Sequence, residues 1–124
     1  MALKPSYNDK LHLPGLSKTE ILILALEASQ KLEWNIEEVT PEGARFEVPF
    51  NMYSHGEEIT FTIEPGSDGE VAVRSQSSSV QFVDYGKNRK NIQKLRETME
   101  EIKTSLTPEE LTQKAKDFEE ECNR

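Results

Sequence analysis

The chain is poor in the residues from which most chemical sites are built. A single cysteine, Cys122, stands in 124 residues. That excludes an internal disulfide and any zinc site made of paired cysteines. His12 and His55 are the only imidazole bases. Nucleophilic catalysis needs a nucleophile, a base and an orienting group, and no Gly-x-Ser-x-Gly elbow is present. The longest apolar run, Ile21 to Leu26, has six residues, far short of the roughly 20 that span a bilayer as a helix. Met1 to Pro5 has no apolar stretch behind its charge, so no signal peptide is expected. Leu, Ile, Val and Phe together number 29 of 124. That lies just above the level of about 20% below which a highly charged chain usually stays unfolded. A folded but lean core is therefore expected, in one domain with tails to spare.

Charge is abundant and one-sided, with a net −8. An acidic protein is repelled by phosphate backbones and anionic headgroups, which disfavours general nucleic-acid or membrane-surface binding. The distribution is uneven. Lys87 to Arg96 holds Lys87, Arg89, Lys90, Lys94 and Arg96 with no acid, +5 in ten residues, leaving −13 on the remainder. A free thiol and no export signal fit a reducing compartment, so the cytosol is expected.

Residues 1–16 carry Pro5, Pro14 and Gly15 and read as an irregular lead-in, packing loosely through Leu11 and Leu13. Ser17-Lys18-Thr19-Glu20 is a capping box, and Leu16 is placed for a hydrophobic staple with Ile21. Ile21, Leu24, Ala25, Ala28 and Leu32 then share one helical face, widened by Ile23 and Leu26. Strands follow over Trp34–Thr40, Ala44–Phe50, Glu57–Glu64 and Glu70–Gln76. Their alternation puts Phe46, Ile59, Phe61, Ile63, Val71 and Val73 inward and Arg45, Glu58, Thr60 and Arg74 outward. Pro65 to Gly69 is a hairpin turn, flanked by strands and lacking the helix that a phosphate loop needs. Ser77-Ser78-Ser79 reads as a solvated polar link. Asn88 is the expected N-cap of a second helix, to about Lys103, with a narrow seam of Ile92, Leu95, Met99 and Ile102. Thr107-Pro108-Glu109-Glu110 opens a third helix whose apolar positions are only Leu111, Ala115, Phe118 and Cys122.

The predicted fold is α+β: an antiparallel meander of four strands, five if Val80–Tyr85 extends it. It packs against two helices in the order α-β-β-β-β-α and carries a C-terminal helical tail. Residues 17–106 form the domain and 107–124 an acidic helical tail or linker.

Candidate chemistry is sparse. His55, Glu57 and Glu58 match no standard metal-ligand spacing, and adjacent strand carboxylates point to opposite faces. Glu37-Glu38, Glu57-Glu58 and Glu100-Glu101 read as acidic surface. Acids beside Cys122 argue against a reactive thiolate. Phe46, Phe50, Phe61 and Phe82 are needed to fill the core, with a ligand cavity as the alternative. No cofactor is expected. One local rule is broken: Lys87, Arg89 and Lys90 crowd a helix N-terminus, where cations are unfavourable. Either Asp84 and the Glu-rich tail compensate them, or Lys87, Asn88, Arg89, Lys90 and Lys94 form a docking patch for a carboxylate, a phosphate or an acidic partner segment.

Arg74 to Ser79, followed by Asp84-Tyr85-Gly86-Lys87-Asn88, is similar to small bacterial domains closed by a strand, an Asp-x-Gly-x-Asn turn and a helix. It resembles the soluble domain preceding the membrane part of some rhomboid-type intramembrane proteases. The resemblance implies a non-catalytic cytosolic module, since rhomboid catalytic residues lie in membrane helices. The expected function is thus an accessory or interaction domain whose partner is another protein or the rest of a larger chain. A small binding protein for an apolar or anionic ligand is the alternative, and an enzyme is not expected.

Overall fold

A computed structural model describes residues 6–49, 56–77 and 86–123. The strongest alternation forms the centre of the sheet. In β4 (Glu57–Ile63) exposure alternates strictly, with Ile59, Phe61 and Ile63 buried and Glu58, Thr60 and Thr62 exposed. β5 (Glu70–Ser77) pairs antiparallel with it, Val71 opposite Ile63 and Val73 opposite Phe61. β3 (Gly43–Val48) adds Phe46 opposite Ile59, and β2 (Asn35–Thr40) completes the expected meander.

A fifth strand forms where the sequence predicts an irregular lead-in. The lead-in contains β1 (Ser6–His12), which pairs antiparallel with β5 from Ser6 opposite Gln76 to His12 opposite Glu70. The sheet order is β1-β5-β4-β3-β2, antiparallel throughout. Leu11 and Leu13 enter the core fully. Only glycine fits at position 69, because a Cβ there would lie 2.0 Å from the Leu13 carbonyl oxygen, while the Leu13 amide donates to the Gly69 carbonyl. Asp68 joins the same junction, accepting from the Gly15 amide. The alternative fifth strand, Val80–Tyr85, lies outside the described residues.

Helices cover one face. α1 (Lys18–Lys31) begins at the Ser17 capping box. Its whole run Ile21 to Leu26 is buried, because it is enclosed by β2 and β3 beneath, α2 (Lys87–Ser105) on one flank and α3 (Pro108–Cys122) on the other. A helix apolar on most sides needs such enclosure. α2 lies over β5 and β1 and buries Ile92, Leu95 and Met99. The acidic tail is α3, with its Thr107 capping box. It docks on α1 through buried Leu111 and Ala115. Polar links reinforce the dock, Thr19 Oγ1 donating to Glu119 and Lys114 to Glu27. Cys122 is exposed at its end rather than buried in its apolar stripe.

Candidate functional site

The inward faces of β4 and β5 change character at one end of the sheet. Alternation carries on from Val71 and Val73 to Ser75 and Ser77, both buried, and from Ile59 back to Glu57, only 2% exposed. Ser75 stands opposite Ile59, and Ser77 opposite Glu57. The α2 seam likewise runs one turn back from Ile92, to Asn88 and its neighbour Asn91. Asn88 is 0% exposed.

These side chains form a network. Ser75 Oγ donates to Asn88 Oδ1 at 2.7 Å, and Asn88 Nδ2 donates to Ser77 Oγ at 3.2 Å. Asn91 Nδ2 donates to Glu57 Oε1 at 2.9 Å and reaches Ser75 Oγ at 3.4 Å. Buried amides and hydroxyls are costly unless partnered, so the network fixes how α2 begins and where it sits on the sheet. Three sequence expectations are corrected here. Ser77 is a core residue rather than part of a solvated link. Glu57 is buried while Glu58 is surface. Asn88 does not cap α2; the N-cap is Gly86, in the left-handed region at φ 77°. A side chain there would be strained, which is why glycine serves.

Outside the network, the same two turns carry charge. Arg89, Lys90 and Lys94 are exposed and Lys87 is half-buried. Among the described residues none of these four side chains forms a hydrogen bond or an ion pair. Of the five proposed docking residues, four therefore lie outward, and Asn88 is withdrawn into the interior. One compensating acid is Asp9, which the sequence did not single out. Asp9 accepts from Arg96 at 2.7 Å and from the Lys10 amide at 2.8 Å. The Arg96 hydrogen bond first, then that amide, hold its carboxyl below the ordinary value, with the Arg96 and Arg89 charges adding to this. The Glu-rich tail instead packs against α1, and Asp84 lies outside the described residues.

Other candidates separate. His55, Phe50, Phe82, Ser78 and Ser79 lie outside the described residues. His12 sits at the opposite end of the sheet from Glu57, its ring 3.1 Å from the Asp68 carbonyl oxygen. Phe46 and Phe61 are packed into the core, with Trp34 tilted against Phe46 at 6.3 Å.

A family model matches residues 6–99, more than half of the chain: DUF1499, Protein of unknown function. The chain belongs to this DUF1499 family. The match takes in all five strands, α1, the buried network and the cationic turns, and stops before α3. It overturns the likeness to a rhomboid-protease domain, to which nothing else points. The residues behind that likeness have a structural role instead: Ser75 and Ser77 receive Asn88, and Gly86 turns the chain into α2. No curated protein matches the chain. Among the described residues no helix is long and apolar enough to cross a membrane.

Proposed function

We propose that this chain is a non-catalytic interaction domain that works in the cytosol. In this reading the cationic outer face of the first two turns of α2 docks an acidic segment of a protein partner or of a larger chain. The carrying observation is the division of labour within those turns. Asn88 and Asn91 are committed to the sheet, while the Lys87, Arg89, Lys90 and Lys94 side chains lie outside the network and form no hydrogen bond or ion pair among the described residues. A docking surface needs such rigidity, because charges held in place lose little freedom on binding. The helix N-terminal dipole adds positive potential at the same place. On a body of net −8, a local excess of cations also orients an acidic partner during encounter.

The test is the double variant Arg89→Glu/Lys90→Glu, titrated with a fluorescein-labelled Asp/Glu-rich peptide and, separately, with inorganic phosphate. The peptide is expected to bind the unaltered chain and to bind the variant at least about tenfold more weakly, the fold remaining intact. Binding of phosphate with equal loss in the variant would move the reading to a small anionic ligand. Equal peptide affinity for both proteins contradicts it.

A further inference from the structure

The helical layer does not reach evenly across the sheet. At the β2 end a groove opens between α1, α3 and the edge strand, as two hollows of about 560 and 470 Å³ that share Val39 and Phe118. Its floor is apolar, formed by Ile23, Leu26, Ile36, Val39 and Phe118. Ile36 and Val39 stand opposite Phe46 and Ala44, so they face the helical side of the sheet, yet they remain 40% and 39% exposed. The rim is acidic: Glu27, Asp117, Glu119 and Glu121 against a single cation, Lys114. Lys114 is already held by Glu27 Oε1 at 3.0 Å. The second Glu27 oxygen is buried and accepts no hydrogen bond among the described residues.

We propose that this groove takes a basic amphipathic helix of a partner protein, with apolar anchors at i, i+3 or i+4, and i+7 flanked by Lys and Arg. Charge complementarity selects that occupant. The anchors cover the apolar floor, and the flanking cations meet the acidic rim and the unsatisfied Glu27 oxygen. A second copy meeting the groove with the same face would bring an equally acidic rim, and an anionic lipid surface would be repelled. Addition of a strand to the β2 edge is opposed by the register shift between Ile36 and Glu38, since a bulge interrupts the regular hydrogen-bonding edge a new strand needs. The groove is separate from the cationic face of α2 and does not depend on it.

Fluorescence anisotropy with a labelled amphipathic Leu/Lys helix, and with its Leu/Glu counterpart, tests the assignment at physiological ionic strength. The Leu/Lys peptide is expected to bind and the Leu/Glu peptide not to. Ile36→Ser/Val39→Ser, at two half-exposed edge positions, is expected to weaken binding at least about tenfold. Asp117→Lys/Glu121→Lys, on the exposed side of α3, is expected to do the same, and it keeps the test decisive should the first variant fold poorly by circular dichroism. Glu97→Lys/Glu100→Lys on α2 is expected to change affinity less than about twofold, and Arg89→Glu/Lys90→Glu is expected not to weaken it. Equal loss in the Glu97/Glu100 variant would mean diffuse charge attraction and overturn the proposal. So would a dimer in sedimentation that Ile36→Ser/Val39→Ser dissolves, since the groove would then belong to a second copy.

Discussion

Two borders of the sheet are finished in opposite ways. Where β5 finishes, Ser75, Ser77 and Glu57 are buried, and α2 meets them with two asparagines that use those groups as anchors. At the β2 end the inward side chains are apolar, and no helix among the described residues covers Ile36 and Val39 completely. The first end specifies an arrangement, because hydrogen bonds have direction and only one placement of α2 satisfies them. The second leaves Ile36 and Val39 partly exposed, the apolar area on which the proposed groove rests. Polar burial in this chain therefore builds the fold, while the two proposed docking surfaces are made of exposed apolar area and surface charge.

The contrast can be broken from the polar side first. Asn88→Ala removes the bridge between Ser75 and Ser77, with the hydrogen bonds it makes to both buried hydroxyls; a loss of about 3 kcal/mol in urea unfolding is expected. A cost below about 1 kcal/mol would mean that the network does not position α2. Next comes Leu111→Ala beneath α3. It is expected to cost about 2 kcal/mol, but locally: hydrogen exchange should quicken in α3 and stay slow in β4 and β5. Uniform quickening would show that α3 is integral to the domain. Gly86→Ala forces a Cβ into a φ of 77° and is expected to cost about 1 kcal/mol, read from the thermal midpoint.

The smallest effect concerns Asp9. Its folded carboxyl is held below the ordinary value of 3.8, so its contribution is present above that pH and is lost as pH falls through the lower folded value. Both partners are more than a third exposed, which limits the pair to about 0.5 kcal/mol. Asp9→Asn should be slightly less stable than the unaltered chain at neutral pH. The difference should vanish in strongly acidic solution. A difference that grew on acidification would contradict the assigned pairing.

Local signals were legible and distant ones were not. Both capping boxes form as written, because each joins residues three apart. Alternation in β4 was unambiguous from Glu58 on, since Ile59, Phe61 and Ile63 are large and apolar. β1 hid because it is an edge strand with one well-buried apolar side chain, Leu11, and its partner β5 is some sixty residues away in the chain. The network was hidden by chemistry rather than distance. Serine, asparagine and glutamate ordinarily mark surface and turns, yet the strand period running on through Ser75 and Ser77 already placed them inside. The helical seam gave the same clue for Asn88, which lies four residues before Ile92. No local pattern foretells the groove, because it exists only once α3 has docked on α1 beside β2.

In the proposed reading, one stretch of α2 holds the fold with its inner face and a partner with its outer face. Urea unfolding and acidic-peptide titration, run in parallel on Asn88→Ala and on Arg89→Glu/Lys90→Glu, measure this most directly. The asparagine variant is expected to lose about 3 kcal/mol of stability, while the charge-reversed variant is expected to stay within about 0.5 kcal/mol of the unaltered chain and to lose the peptide. A charge-reversed variant that unfolds, or that still binds the peptide as tightly, would contradict it.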